Sequence, residues 1–137
     1  MTRILKTSGF LGLAVMMSVG LHQTALLAGG GGPPGWMIGA HAHLGVLSII
    51  GIVTGFAVEA LGVTGNVRTA VTGLFLVGQW LLPATIWLGE GAGMLMLMPT
   101  MFVWGGALVV AMLLMTWQTA TGDTGSQGRS GPITADD

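Results

Sequence analysis

Three histidines, His22, His41 and His43, supply most of the reactive side chains of this sequence. The chain has no cysteine, and its 137 residues include only four Lys or Arg and five Asp or Glu. An imidazole can ligate a metal ion or a haem iron, or it can simply hydrogen-bond inside a helical bundle. The lack of cysteine excludes disulfides, thiolate metal sites and cysteine catalysis. The chemistry therefore depends on how the surrounding helices place these three imidazoles.

Composition identifies the class of protein. Hydrophobic residues make up 52% of the chain and charged residues 7%, whereas a soluble domain carries about 25% charged residues. Such a chain could not cover its surface in water, so we expect an integral membrane protein with the lipid bilayer as its first partner. The net charge of −1 argues against nucleic acid as a partner, because nucleic-acid binding needs a basic surface.

Four apolar stretches are long enough to cross a bilayer, which takes about 20 residues. They cover residues 8–27, 37–61, 69–88 and 94–117. The loop 89–93 is so short that the third and fourth spans must be antiparallel neighbours. The predicted fold is all-α: residues 1–121 form an antiparallel bundle of four transmembrane helices with no sheet. Residues 122–137 are polar and lack an apolar period, which predicts a disordered tail.

The basic residues predict the orientation. Arg3, Lys6, Arg68 and Arg129 all fall on the same side of the four predicted spans. By the positive-inside rule, both termini lie in the cytoplasm of a multi-pass plasma-membrane protein. A cleaved signal peptide is the competing interpretation of the N-terminal stretch. We favour a retained helix, because the stretch is long enough to span and residues 25–28 make a poor cleavage site.

The topology places the three histidines at similar depth. With a rise of about 1.5 Å per residue, His22 lies about 8–10 Å below the outer end of its span, and His41 and His43 lie about 6–9 Å below theirs. His41 and His43 are two residues apart, or about 200° around a helix. They cannot both face one central ligand, so one of them is free to bind a metal or haem while the other faces elsewhere.

The second and third spans carry further candidate residues. Small and polar residues recur every three or four positions on one face of span two: His41, Gly45, Ser48, Ile52, Gly55 and Glu59. This face predicts close packing against another helix, with Ser48 bonding across, and it is compatible with a binding site. In span three, Pro83 predicts a kink beside Gln79 and Trp80, which can open a pocket. The predicted cofactor-binding residues are His43, His41, His22, Ser48, Gln79 and Trp80, with His43 and His41 as the metal ligands.

Three short segments, taken in order, resemble one family. They are Pro34-Gly35-Trp36 leading to Ala42-His43-Leu44-Gly45, then Gln79-Trp80, and then Leu97-Met98-Pro99 with Gly105. Small four-helix membrane isomerases, styrene-oxide isomerase and hydroxylaminobenzene mutase, have similar elements in the same order. The resemblance implies an oligomeric four-helix bundle and a ferric haem b bound by the helix-two histidine, which matches His43. It also implies that the iron acts as a Lewis acid on an epoxide oxygen.

The sequence departs from that family at two points. The family has an asparagine about two turns after its histidine, where Ser48 and Ile49 stand here, and this chain contains no tyrosine. The motif favours His43 as the ligand, whereas the shared helix face favours His41. The leading hypothesis is haem b binding by one of these histidines, with Lewis-acid isomerase activity on a small apolar substrate.

The alternative is a non-enzymatic subunit or accessory protein of a larger membrane complex, such as a respiratory one. Short His-x-His-Leu-Gly motifs also resemble helices of haem-bearing respiratory membrane proteins. The predicted protein partners are accordingly further copies of this chain or the other subunits of such a complex.

Overall fold

The computed structural model describes residues 2–121, and the predicted tail 122–137 lies outside the described residues. The described part is helical and contains no strand, which confirms the predicted all-α bundle. Its four α-helices are α1 (Thr2–Ala28), α2 (Gly35–Ala60), α3 (Gly65–Ile86) and α4 (Met101–Thr121). A π-helical turn at Trp87–Gly91 and a 3₁₀ helix at Leu95–Thr100 join α3 to α4.

All four helical segments are long and apolar enough to cross a membrane. Their outward surfaces are strongly apolar, with Phe102 80% exposed and Leu21 75% exposed. Side chains of this kind are stable against lipid and would be unfavourable in water over so large an area. The chain is therefore a multi-pass membrane protein.

The largest differences from the predicted spans are at the starts of α1 and α4. The first helix begins at Thr2 rather than at residue 8, because a helix can continue beyond the hydrocarbon layer into polar surroundings. The fourth stretch begins as a 3₁₀ helix, and α4 itself starts only at Met101. Pro99 accounts for this delay, because proline disfavours the α conformation of the preceding residue.

Helices α1 and α2 pack antiparallel through small residues. A Cβ atom added at Gly9 would lie 2.5 Å from Ile52 Cγ1 and 2.7 Å from the backbone oxygen of Ser48. One added at Gly20 would lie 3.1 Å from Cε1 of His41. Glycine lets the two backbones approach closely, as membrane helices require. The face of α2 predicted as a contact surface is confirmed as the face that packs on α1.

Thr2 and Lys6 at the start of α1 bond to Glu59 at the end of α2, and we call these three residues the polar clasp. Thr2 Oγ1 donates a 2.6 Å hydrogen bond to Glu59 Oε1, and Lys6 Nζ lies 2.8 Å from Glu59 Oε2. Lys6 Nζ also lies 4.6 Å from the ring centroid of Phe56. The Glu59 side chain remains 44% exposed, so solvent weakens the ion pair. The clasp sets the register of the two helices at the bundle end that carries the N-terminus.

Helix α4 is attached mainly to α3. Gly78 of α3 is in tight contact with Leu108, and a Cβ there would also lie 2.9 Å from the backbone oxygen of Trp104. Only Ala111 and Met115 of α4 are buried. Most of α4 therefore presents an apolar surface to the surroundings of the bundle.

Candidate functional site

A buried polar cluster links α1, α2 and α3 near the middle of the bundle. We call Ser8, Ser48, Gln79 and Trp80 the Gln79 cluster. The amide Nε2 of Gln79 donates to the backbone oxygen of Ser8 at 3.2 Å and to Ser48 Oγ at 3.4 Å. Ser8 Oγ donates to Gln79 Oε1 at 3.3 Å and accepts from Trp80 Nε1 at 2.8 Å. These bonds satisfy polar groups that would otherwise be costly in an apolar interior.

Glycines make room for the Gln79 cluster. Gly12 of α1 touches Ser48 Oγ, and a Cβ there would lie 2.9 Å from Gln79 Nε2. Gly51 of α2 sits against the other side of the amide, where a Cβ would lie 3.2 Å from Gln79 Oε1. Gln79 and Ser48 are completely buried as a result. The cluster holds Trp80 in place through its bond to Ser8.

A pocket of ≈ 460 Å³ lies beside the Gln79 cluster, on the side away from the N-terminal end of the bundle. Helices α1, α2 and α3 contribute its walls, which include Val15, Val19, His41, Trp80, Pro83 and Trp87. The exposure of Val15 (38%) and Trp87 (37%) indicates that the pocket opens sideways between α1 and α3. Its position beside Pro83 agrees with the pocket expected from the sequence.

His41 is the one titratable residue in the wall of this pocket. Its Nδ1 is buried and has no hydrogen-bond partner among residues 2–121, and no bond to Nε2 occurs in that range either. Buried polar atoms nearly always have a partner, and a polar group within the membrane is a functional candidate by default. Nδ1 is the buried nitrogen of the ring, so Nε2 is the nitrogen that a ligand in the pocket could reach.

His43 lies on the opposite side of α2 and is exposed. Its Nδ1 donates a 2.7 Å hydrogen bond to the backbone oxygen of Gly39, one turn earlier. That bond leaves Nε2 free, which is how histidines are commonly prepared to bind a metal. No wall surrounds His43 in the described chain, however, so a ligand there would need further contacts from outside the chain.

His22 is exposed on α1. The side chain of the next residue, Gln23, donates a 3.0 Å bond to the backbone oxygen of Met37, and Gly20 contacts His41. His22 is thus level with the first turns of α2, at the depth that the sequence suggested. Within residues 2–121, no group of three His, Asp or Glu residues comes together to hold a metal ion, so the three histidines do not form one site.

Aromatic side chains close the outer end of the pocket. The rings of Trp36 and Trp87 meet edge to face, with centroids 4.9 Å apart and an interplanar angle of 74°. A Cβ at Gly91 would lie 3.0 Å from the Trp36 ring, so the π-helical turn rests on this indole. Of the other predicted cofactor-binding residues, Trp80 lines the pocket. Ser48 and Gln79 do not line it; they lie next to it in the Gln79 cluster.

Sequence reasoning missed Ser8 and Gly12. Ser8 accepts the indole hydrogen bond that positions Trp80, and Gly12 provides the space for Ser48. One signal could have found Gly12: Gly9, Gly12 and Gly20 recur along the first span at intervals that suit a helix contact face. Nothing local marks Ser8, because its role depends on the register between α1 and α3.

Comparison with known proteins adds the family to this description. The family model described as "Domain of unknown function (DUF8059)" matches residues 1–137. No curated protein matches the chain, and no solved structure matches it. Since the family model covers the whole sequence, the chain belongs to the DUF8059 family.

Proposed function

We propose that this protein binds haem b in the pocket between α1, α2 and α3, with His41 as the axial ligand. The observation that carries the proposal is the unpartnered imidazole of His41 in the wall of an otherwise apolar pocket. A bound iron would use Nε2, which makes no hydrogen bond within residues 2–121.

The size and lining of the pocket suit haem b. Its volume of ≈ 460 Å³ is within the range of about 300–1,000 Å³ that is common for cofactor sites. The indoles of Trp80 and Trp87 and the side chain of Leu44 offer flat or apolar surfaces for a macrocycle. The lining contains no Lys or Arg, so the haem carboxylates would depend on water or headgroups at the open side. The axial nitrogen and the apolar walls fit the group.

Each residue has a distinct part in such a site. His41 supplies the ligand nitrogen, and Gly20 leaves room for its ring. Trp80 is held by Ser8 and forms the floor, while Trp87 limits access of water from the outer end. Ferric haem, when bound, supplies a Lewis-acid iron. On the basis of the resemblance to the small membrane isomerases, we propose isomerase activity on a small apolar substrate.

Filling the pocket tests this proposal without removing the ligand. Ala84 lines the pocket, whereas Ala42 is exposed on the outer side of α2. We expect Ala84→Phe to lower haem affinity at least tenfold, because the new ring occupies the binding volume, and Ala42→Phe to leave it unchanged. The measurement is the Soret absorbance during haem titration of the purified proteins in detergent. Equal affinities for the two variants would place the haem outside this pocket.

The second candidate function is that of a subunit of a larger membrane complex, for which the exposed apolar face of α4 is an available contact surface as well as a lipid-facing one. Phe102, Val103 and Leu113 are each more than 60% exposed on that helix. A stable subunit interface is large and apolar. If this function holds, the protein purified in mild detergent carries stoichiometric companion subunits, whereas the haem-binding homo-oligomer or monomer purifies alone.

We also propose that both termini are cytoplasmic and that the membrane is the plasma membrane. Arg3, Lys6 and Arg68 lie at one end of the bundle, where α1 begins, α2 ends and α3 begins. The positive-inside rule assigns that end to the cytoplasm. A green fluorescent protein fused after Asp137 should fluoresce, and an alkaline phosphatase fused there should be inactive. The reverse pair of results would invert the orientation.

A further inference from the structure

A second groove follows the other half of the opening between α1 and α3. It has a volume of ≈ 380 Å³ and is lined by Arg3, Ile4, Thr7, Ser8, Leu11 and Trp80. Positions 3, 4, 7, 8 and 11 share one face of α1, since they recur at helical spacing. Trp80 belongs to this groove and also to the pocket that contains His41. The hydrogen bond between Trp80 and Ser8 therefore divides the opening between α1 and α3 into two compartments, the pocket that contains His41 and this groove.

The charge in this groove is concentrated at one end. Arg3 is exposed at the start of α1, and within residues 2–121 it has neither an ion pair nor a hydrogen bond through its side chain. Lys6, by contrast, is paired with Glu59 at 2.8 Å. The hydroxyl of Thr7, one turn beyond Arg3, is likewise without a partner in that range. Among the described residues, the mouth of the groove thus offers a cation and a hydroxyl that have no partner.

The remainder of the groove is apolar and runs into the membrane. Ile4, Leu11 and the Trp80 ring form its deeper part. From Arg3 to Leu11 the groove extends about 12 Å along α1, which is close to the thickness of one hydrocarbon leaflet, about 15 Å. A soluble anion would use only the charged mouth. A molecule with an anionic head and a hydrocarbon chain would use the mouth and the deeper part together.

We propose that this groove binds an anionic phospholipid of the leaflet nearest the N-terminus. The headgroup phosphate pairs with the Arg3 guanidinium and accepts from the Thr7 hydroxyl, and one acyl chain follows Ile4 and Leu11 towards Trp80. Arginine suits this role because its fork of donors matches phosphate oxygens. The proposal does not rest on haem binding, since Trp80 is the one lining residue that the groove shares with the pocket that contains His41.

Fluorescence quenching by brominated lipids tests the site. In a variant that keeps only Trp80, with the four other tryptophans changed to Phe, brominated phosphatidylglycerol should quench more efficiently than brominated phosphatidylcholine. The expected preference is about fivefold, the effect of one basic residue near an anionic membrane surface. Arg3→Gln should remove the preference, and Arg3→Lys should keep most of it. A variant that keeps only Trp117 on α4 should show a smaller preference.

Two controls separate the alternatives. Arg68→Gln removes a cation from the same end of the bundle but outside the groove, so the Trp80 preference should persist. Helical circular dichroism identifies any variant that fails to fold. Equal quenching by the two lipids in the parent, or a preference that survives Arg3→Gln, would overturn the proposal. Loss of the preference on adding inorganic phosphate at constant ionic strength would indicate a soluble-anion site and would also overturn it.

Discussion

Gly12→Val should destabilise the bundle by about 1–3 kcal/mol, the usual penalty for extra volume in a well-packed core. Gly12 already touches Ser48 Oγ, and its added Cβ would lie 2.9 Å from Gln79 Nε2. The neighbours are polar atoms bonded to each other at 3.4 Å, so they cannot retreat without breaking that bond. The free energy of unfolding, measured by titration with a denaturing detergent, gives the effect.

A matched glycine provides the control. Gly73 is a helical glycine on α3, and a Cβ added there meets nothing within 4 Å. We expect Gly73→Val to change stability by less than about 0.5 kcal/mol, as surface substitutions usually do. A double-mutant cycle tests the contact itself. Gly12→Ala should cost less stability when Ser48→Ala has already removed the hydroxyl that the new methyl group meets. Equal stabilities for the Gly12 and Gly73 variants would refute the close contact of α1 with α2.

His41→Ala should abolish high-affinity haem binding, and His43→Ala should preserve it. Removing a residue that only supports a metal ligand costs about 10–100-fold in affinity, so loss of the axial ligand itself should exceed that range. His41 lines the pocket, whereas His43 is exposed on the other side of α2, where the described chain forms no pocket wall around it. Haem titration followed at the Soret band measures both affinities. The opposite result would move the ligand to the outer face of α2, where only another chain could complete the site.

The four spans could be predicted because their signal is local and strong. Long apolar stretches separated by glycine-rich or short loops are sufficient to locate membrane helices. The contact face of α2 was also predictable, since small residues spaced by three and four must lie on one side of a helix. The same geometry separates His41 from His43, and the structure has them on opposite sides of α2.

The partners of these residues could not be predicted. Ser8 contacts Gln79 and Trp80 across a separation of more than 70 residues, and only the register of α1 against α3 brings them together. The position of the pocket beside Pro83 was expected, but its full set of walls was not, because α1, α2 and α3 all contribute to them. The π-helical turn at Trp87–Gly91 has no recognisable local pattern either. The family motif favours His43, whereas the structure has His41 in the wall of the pocket and His43 exposed; that difference depends on side-chain direction, which the motif does not encode.

The most direct test of haem binding in the His41 pocket is a haem titration of the unmodified protein in lipid nanodiscs. Saturation at one haem b per chain, with a Soret band shifted from that of free haem, is the result expected for an iron bound by His41. Binding that never saturates, or a spectrum identical to that of haem dissolved in empty nanodiscs, would contradict the central claim that this pocket is a haem site.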